Sequence, residues 1–198
     1  VDQFIILYLK LFFMMTPFFV MSAFIAMTKH ASKAEKKRII FKICVAVFVT
    51  GMLFFLFGIY IFDLFGITLD AFKIGAGTVL FLSAIDMIRQ DDTPTAIKNT
   101  DNDIAIVPLA IPITIGPGLI GVLMVYGAEP SSVMHNVIVC MALLASVVSV
   151  GLILLISNKV QHLLGKQGLK ILPKITGLFV SAIGAQIIFS GIQGFFKL

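Results

Sequence analysis

The chain has 198 residues, 59% of them hydrophobic and 13% charged, with a formal net charge of +5. A water-soluble domain of this size carries roughly a quarter charged residues and alternates polar with apolar at helix or strand period. Long apolar blocks separated by short charged runs exclude that class; in the polytopic membrane protein they indicate, basic residues report orientation and give nucleic-acid binding no support.

The first apolar block runs from Phe4 to about Met27. It is too long for a signal-peptide core, and its basic flank follows it, so it is expected to stay as the first membrane helix. Thr16-Pro17 lies near its middle, where the proline removes a backbone donor and predicts a break. The following blocks are Ile39–Phe62, Phe72–Ile88, Ile104–Tyr126, Val133–Ile156 and Leu172–Phe195, giving six helices. The third is short, at seventeen residues near the lower limit for a span. Cys44 and Cys140 sit inside apolar blocks and read as free thiols.

The loop Lys29–Arg38 holds five basic residues and one acid, and Ser157–Lys174 holds four lysines and no acid, whereas Asp63–Ala71 and Gly127–Ser132 hold acids only. If the helices alternate in direction, the first, third and fifth loops share one side, which with Lys42 and Arg89 collects twelve of the fifteen Lys and Arg. By the positive-inside rule that side is the cytoplasm, so both termini are expected outside an inner (cytoplasmic) membrane.

The stretch Ile104–Ala128 is twenty-five residues without a charge, interrupted by Pro108, Pro112 and Pro117, the last flanked by Gly116 and Gly118. It is long enough to span but cannot be a smooth helix, and Thr114–Gly118 is expected to be kinked or unwound. Unwound backbone in a bilayer survives where it faces protein or a polar cavity.

The polar loop Arg89–Asp103 divides the chain into a first repeat (1–90), a cytoplasmic linker (91–103) and a second repeat (104–198). Two triplets of helices have opposite orientations, the inverted-repeat plan of many secondary transporters. LFLSAI (80–85) and LFVSAI (178–183) match at an offset of ninety-eight, and Thr16-Pro17 matches Gly116-Pro117 at one hundred.

Each break would start a half-helix near the midplane, with unpaired N–H groups and a partial positive charge suited to a carboxylate. Freed carbonyls, helped by the Thr16 and Thr114 hydroxyls, could hold an ammonium or a small cation, and a zwitterionic amino acid satisfies both. Proline and glycine also serve membrane helices as plain hinges and packing points. Gln186, midway along the sixth block, is interhelical glue or a substrate hydrogen bond. Asp86 pairs with Arg89 at i, i+3 or carries a proton. Lys10 can snorkel to water. Ser83, Ser181 and the pairs Gly75/Gly77 and Gly184/Gly191 suit close helix packing. His30, His135 and His162 are never at metal spacing, and no nucleophile elbow or phosphate loop is present, so neither an enzyme nor a metal or organic cofactor is expected.

AIVPLAIPITIGPG (105–118) closely resembles the signature of the MarC family of integral membrane proteins, in which VPLAIPLLAGPG-like strings open the fourth helix. FKIGAGTVLFLSAIDMIR (72–89) looks like that family's third helix, and Thr176-Gly177 with Gln186 and Gly191 resembles its sixth, so the likeness covers nearly the whole chain. The chain departs from the pattern in the first helix. There an Asn-Pro or Asp-Pro followed two residues later by glycine is usual, and here Thr16-Pro17 precedes Phe18 and Phe19.

The resemblance implies transport of small neutral amino acids such as glycine and alanine. The expected protein is therefore an all-α membrane protein of two inverted three-helix repeats with broken first and fourth helices. It would move a small polar metabolite, coupled to H+ or Na+. Thr16, Pro17, Pro112, Thr114, Gly116, Pro117, Gly118 and Gln186 would contact the substrate, and Asp86 would be the candidate for proton coupling. The expected partners are that solute and the lipid bilayer, with self-association into a homo-oligomer left open. A channel would need polar rings the blocks lack, and a non-transporting membrane factor fits everything except the broken helices.

Overall fold

The computed structural model describes residues 2–29, 31–89, 115–129 and 132–196, which are about 91% helix with no strand. The elements are α1 (Asp2–Met14), α2 (Pro17–Met27), α3 (Lys33–Phe65), α4 (Leu69–Arg89), α5 (Pro117–Ala128), α6 (Val133–Leu155) and α7 (Ser157–Phe196). With α1 and α2 taken as one span, five helices are long and apolar enough to cross a membrane, and Gly118–Ala128 is a shorter apolar helix. The expected linker 91–103 and the first half of the fourth block, with Pro108, Pro112 and Thr114, lie outside the described residues.

Helix ends differ from the apolar blocks where caps extend them. Ser32 and Glu35 form a reciprocal capping box: Glu35 N donates to Ser32 Oγ at 3.3 Å and Ser32 N to Glu35 Oε2 at 2.7 Å. This starts α3 six residues before Ile39 and gives 33 residues, roughly 50 Å of helix against a hydrocarbon core of about 30 Å. Gly66 ends it in the left-handed conformation (φ 63). The third helix is 21 residues rather than seventeen. The stretch Ser157–Lys174, expected as a loop, is helical, because lysine and glutamine are good helix formers once a helix is started. Gly165 (φ 62, ψ −174) interrupts it, and Pro173 is buried inside α7.

Glycines set the packing. α4 and α7 lie against each other along a seam in which a Cβ built on Gly77 would stand 2.9 Å from Gly184 O, one on Gly184 2.9 Å from Phe81 N, one on Gly177 3.0 Å from Ala84 O and one on Gly191 2.8 Å from Asp70 O. The pairs 70/191, 77/184 and 84/177 recur every seven residues on both helices, so the seam is antiparallel. Such approach lets backbones touch where lipid offers no hydrophobic drive for association. Gly75, expected to share this role, meets nothing within 4 Å and faces outward.

α5 has no polar face, and Gly118, Leu119 and Gly121–Val125 are all buried. Its glycines face different neighbours. Gly118 abuts Leu80 and Gly121 abuts Ala76 on α4, while Gly127 lies against Phe55 O on α3, where Gly58 reciprocates against the Met124 backbone. α6 packs on α3 through Gly151 and Cys44 and on α1 through polar contacts, with the Tyr8 and Ser149 hydroxyls sharing a 2.9 Å hydrogen bond and Ser146 Oγ donating to Tyr8 O at 3.1 Å. The exterior is apolar, with Phe41, Tyr60, Leu64, Val148, Leu152 and Phe179 exposed.

Candidate functional site

The first helix is broken where Thr16-Pro17 predicts. Pro17 has no N–H for Phe13 O, which instead accepts from Thr16 N at 2.9 Å, closing α1 in a tighter turn. Thr16 takes φ 48, ψ 55, the left-handed region, alone among non-glycine residues described. Its carbonyl accepts from Val20 N at 3.0 Å and opens α2 with Pro17 at the first helical position. Phe18 and Phe19 then carry the first N–H groups of α2, which by position have no intrahelical acceptor.

α5 shares one part of this arrangement, a capping residue followed by proline at the first helical position. Gly116 (φ −71, ψ 162) caps α5 and Pro117 takes its first position, with Ile120 N donating to Gly116 O at 3.2 Å. Among the described residues, nothing lies within 4 Å of a Cβ built on Gly116. Gly118 and Leu119 bear the first N–H groups of α5, which by position have no acceptor within that helix. The break and the start of α5 both abut the central part of the α4–α7 seam: Phe13, just before the break, stacks on Phe179 at 5.0 Å between ring centroids, and Gly118, in the first turn of α5, rests on Leu80.

A cavity of about 140 Å³ lies beyond the break and the start of α5, toward the ends of the helices that carry Lys10, Lys73 and Glu129. Lys10 of α1, Lys73 of α4, Tyr126 and Glu129 at the end of α5, and Gln186 and Ser190 of α7 supply its polar lining. Val122, Val125, Ile183 and Ile187 form the apolar wall. Lys73 Nζ is 2.8 Å from Glu129 Oε1, and the lysine side chain is only 12% exposed against 36% for the glutamate. The pair ties α4 to α5. Glu129 follows the last turn of α5, where carbonyls carry partial negative charge, so the Lys73 ammonium offsets both.

Of the residues singled out in the sequence, Gln186 lines this cavity, Thr16 and Pro17 form the break in the first helix, and Gly116, Pro117 and Gly118 form the start of α5. Pro112 and Thr114 lie outside the described residues. Asp86 stands thirteen residues along α4 from Lys73, roughly 20 Å. It is exposed and forms no ion pair with Arg89 among the described residues, so it is not brought to the cavity. Ser83 and Ser181 donate to their own helices, at Val79 O and Leu178 O, both at 2.8 Å. No three of His, Cys, Asp and Glu gather as a metal site among the described residues.

Lys10, Lys73 and Glu129 were not legible as a group. Snorkelling accounts for Lys10, Lys73 stands at the very start of the block Phe72–Ile88, and Glu129 reads as a loop charge. One signal was available: Lys10, Lys73 and Lys197 are the three basic residues that fall outside the strongly basic side, and two of them meet here.

The chain matches the family model described as MarC family integral membrane protein over residues 1–196. It is 35% identical over 199 residues to the UPF0056 membrane protein MJ1677 of Methanocaldococcus jannaschii, covering 98% of this chain and 97% of that one. It is 30% identical to the UPF0056 membrane protein YhcE of Escherichia coli, with 96% and 91% covered, and 27% identical to YvbG of Bacillus subtilis, with 96% and 94% covered. No solved structure matches it at a significant level.

Proposed function

Because the chain belongs to the MarC family of integral membrane proteins, we propose that it is a secondary transporter of a small neutral amino acid of the glycine or alanine type, or of a related small polar metabolite. The reading has it work by ion-coupled alternating access across the cytoplasmic membrane, with H+ or Na+ as the coupling ion. That it is an integral multi-pass protein is established by its family and its apolar helices.

The observation that carries the reading is the pair of short helices that start at Pro17 and Pro117. α2 and α5 are 11 and 12 residues long, about 17–18 Å each and little over half the hydrocarbon core. Both begin with a capping residue followed by proline, so the first N–H groups of each have by position no acceptor within the helix. Helix N-termini of this kind favour a carboxylate, and the C-terminal end of α1 favours an ammonium or a cation.

The inverted-repeat plan is part of the proposal. It is supported by the offset of one hundred between the two capping sequences and of ninety-eight between the matching strings on α4 and α7, and by α5 packing on α4 as α2 packs on α7. The positive-inside distribution supports both termini outside.

The test is uptake of radiolabelled alanine and glycine by the purified protein in liposomes, with and without an imposed proton or sodium gradient, alongside Gly116→Leu. A Cβ at Gly116 touches none of the described residues, so the melting temperature of the variant decides whether a leucine there leaves the packing intact. Gradient-driven accumulation in the parent, lost in a variant with the parent's melting temperature, is the expected result. No flux of either amino acid under either gradient overturns the reading.

A further inference from the structure

We propose that the cavity bounded by Lys10, Lys73, Glu129 and Gln186 is an outer recognition site for a small dipolar solute, which takes over both partners of the Lys73–Glu129 pair on its way to the starts of α2 and α5; this rests on the transport reading above. Charge is the first support. A lysine within an apolar block is expensive unless it reaches water or an opposite charge. Here two lysines from separate helices line one cavity with one half-buried carboxylate; Lys73 pairs with it, and Lys10 has no ion pair among the described residues. The three groups carry a formal charge of +1, which suits a solute whose carboxylate reaches Lys10 and Lys73 while its ammonium replaces Lys73 at Glu129.

Placement is the second support. If the apolar blocks alternate in direction, twelve of the fifteen Lys and Arg belong to the opposite side of the membrane, and the two lysines here are exceptions to the distribution that orients the chain. They lie between the outer surface and the starts of α2 and α5: Lys10 is six residues before Thr16, and Val122 four after Gly118. A solute entering from outside meets them first.

Shape is the third. About 140 Å³ bounded by Val122, Val125, Ile183 and Ile187 accepts a solute with a short apolar side chain, and Gln186 and Ser190 add neutral hydrogen-bonding groups. Because the ion pair joins α4 to α5, its exchange for solute contacts also releases one tie between the two halves of the chain.

Two readouts separate this site from the transport reading. The first is the thermal shift of the detergent-solubilised full chain with alanine, with propionate, which lacks the ammonium, and with alaninamide, which lacks the carboxylate. The second is alanine flux in liposomes. Lys10→Met and Glu129→Gln are the variants, and Lys73→Glu paired with Glu129→Lys rebuilds the helix tie with its polarity reversed, as a fold control.

Charge-assisted hydrogen bonds carry enough differential energy that Lys10→Met and Glu129→Gln are each expected to raise the alanine KM or binding midpoint about tenfold, with kcat little changed. Glu129→Gln should also shrink the preference for alanine over propionate by a similar factor. Parent flux with KM and selectivity unchanged in both variants overturns the site and leaves the transport reading standing. Binding that is lost in Lys10→Met, with no parent flux, supports the site and overturns transport. Neither binding nor flux of alanine in the parent overturns both.

Discussion

Gly75 and Gly77 are two residues apart on α4 and offer opposite outcomes for the same substitution. A methyl at Gly75 meets nothing within 4 Å, so Gly75→Ala brings only the gain in helix propensity, about 1 kcal/mol. At Gly77 the same methyl stands 2.8 Å from Ile188 Cγ1, 2.9 Å from Gly184 O and 3.0 Å from Ile188 N. Two of these are backbone atoms that no rotamer change can move. α4 and α7 must therefore part by roughly half an ångström, which forfeits about a quarter of the dispersion energy along the contact, and overpacking of this kind costs about 1–3 kcal/mol.

The propensity gain is common to both variants and cancels in their difference, leaving Gly77→Ala less stable than Gly75→Ala by about 1–3 kcal/mol. For a chain of this size each kcal/mol moves the melting temperature by about 2–4 °C. The chain has no tryptophan, but Cys44 and Cys140 are free and half-buried in α3 and α6. A fluorogenic maleimide that labels them on unfolding gives the melting curve in detergent. Coincident curves for the two variants would refute the seam.

Other substitutions probe the break and the cap. A β-branched residue in the left-handed region costs about 1–2 kcal/mol, and asparagine tolerates that region far better. Thr16→Asn should therefore raise the melting temperature by a few degrees and Thr16→Val should not, measured by the same labelling assay; equal behaviour would remove the strained geometry from Thr16. Ser32→Ala deletes one half of the capping box and is expected to cost about 1 kcal/mol. Its signature is faster hydrogen exchange at the first amides of α3, and unchanged exchange there would mean the cap contributes nothing.

The described spans, the break at Pro17 and the start of α5 at Pro117 were legible because their causes are local. An apolar block of twenty residues has one fate, and Pro17 and Pro117 cannot donate whatever surrounds them. The ends of α3 and α7 were less legible, since hydropathy marks where lipid begins and not where a capped, lysine-rich helix stops. The two glycines of α4 differ only in which way the helix is turned, and that is decided by α7, about a hundred residues away. The cavity belongs to the same class: Lys10 and Glu129 each have a bland explanation alone, and only the packing of α1, α4, α5 and α7 brings them together.

The glycine seam also has a consequence in time. α4 leaves the ribosome about a hundred residues before α7, a wait of about 5–20 s at ordinary rates of synthesis. During that interval Gly77 and Ala84 face lipid, which small residues do at little cost because no polar group is bared. The arrival of α7 then closes backbone on backbone from Asp70 to Ile88 in one docking step. Assembly of this protein is therefore expected to finish late and all at once, and a chain stopped short of Gly177 would lack the partner on which its first half was built to rest.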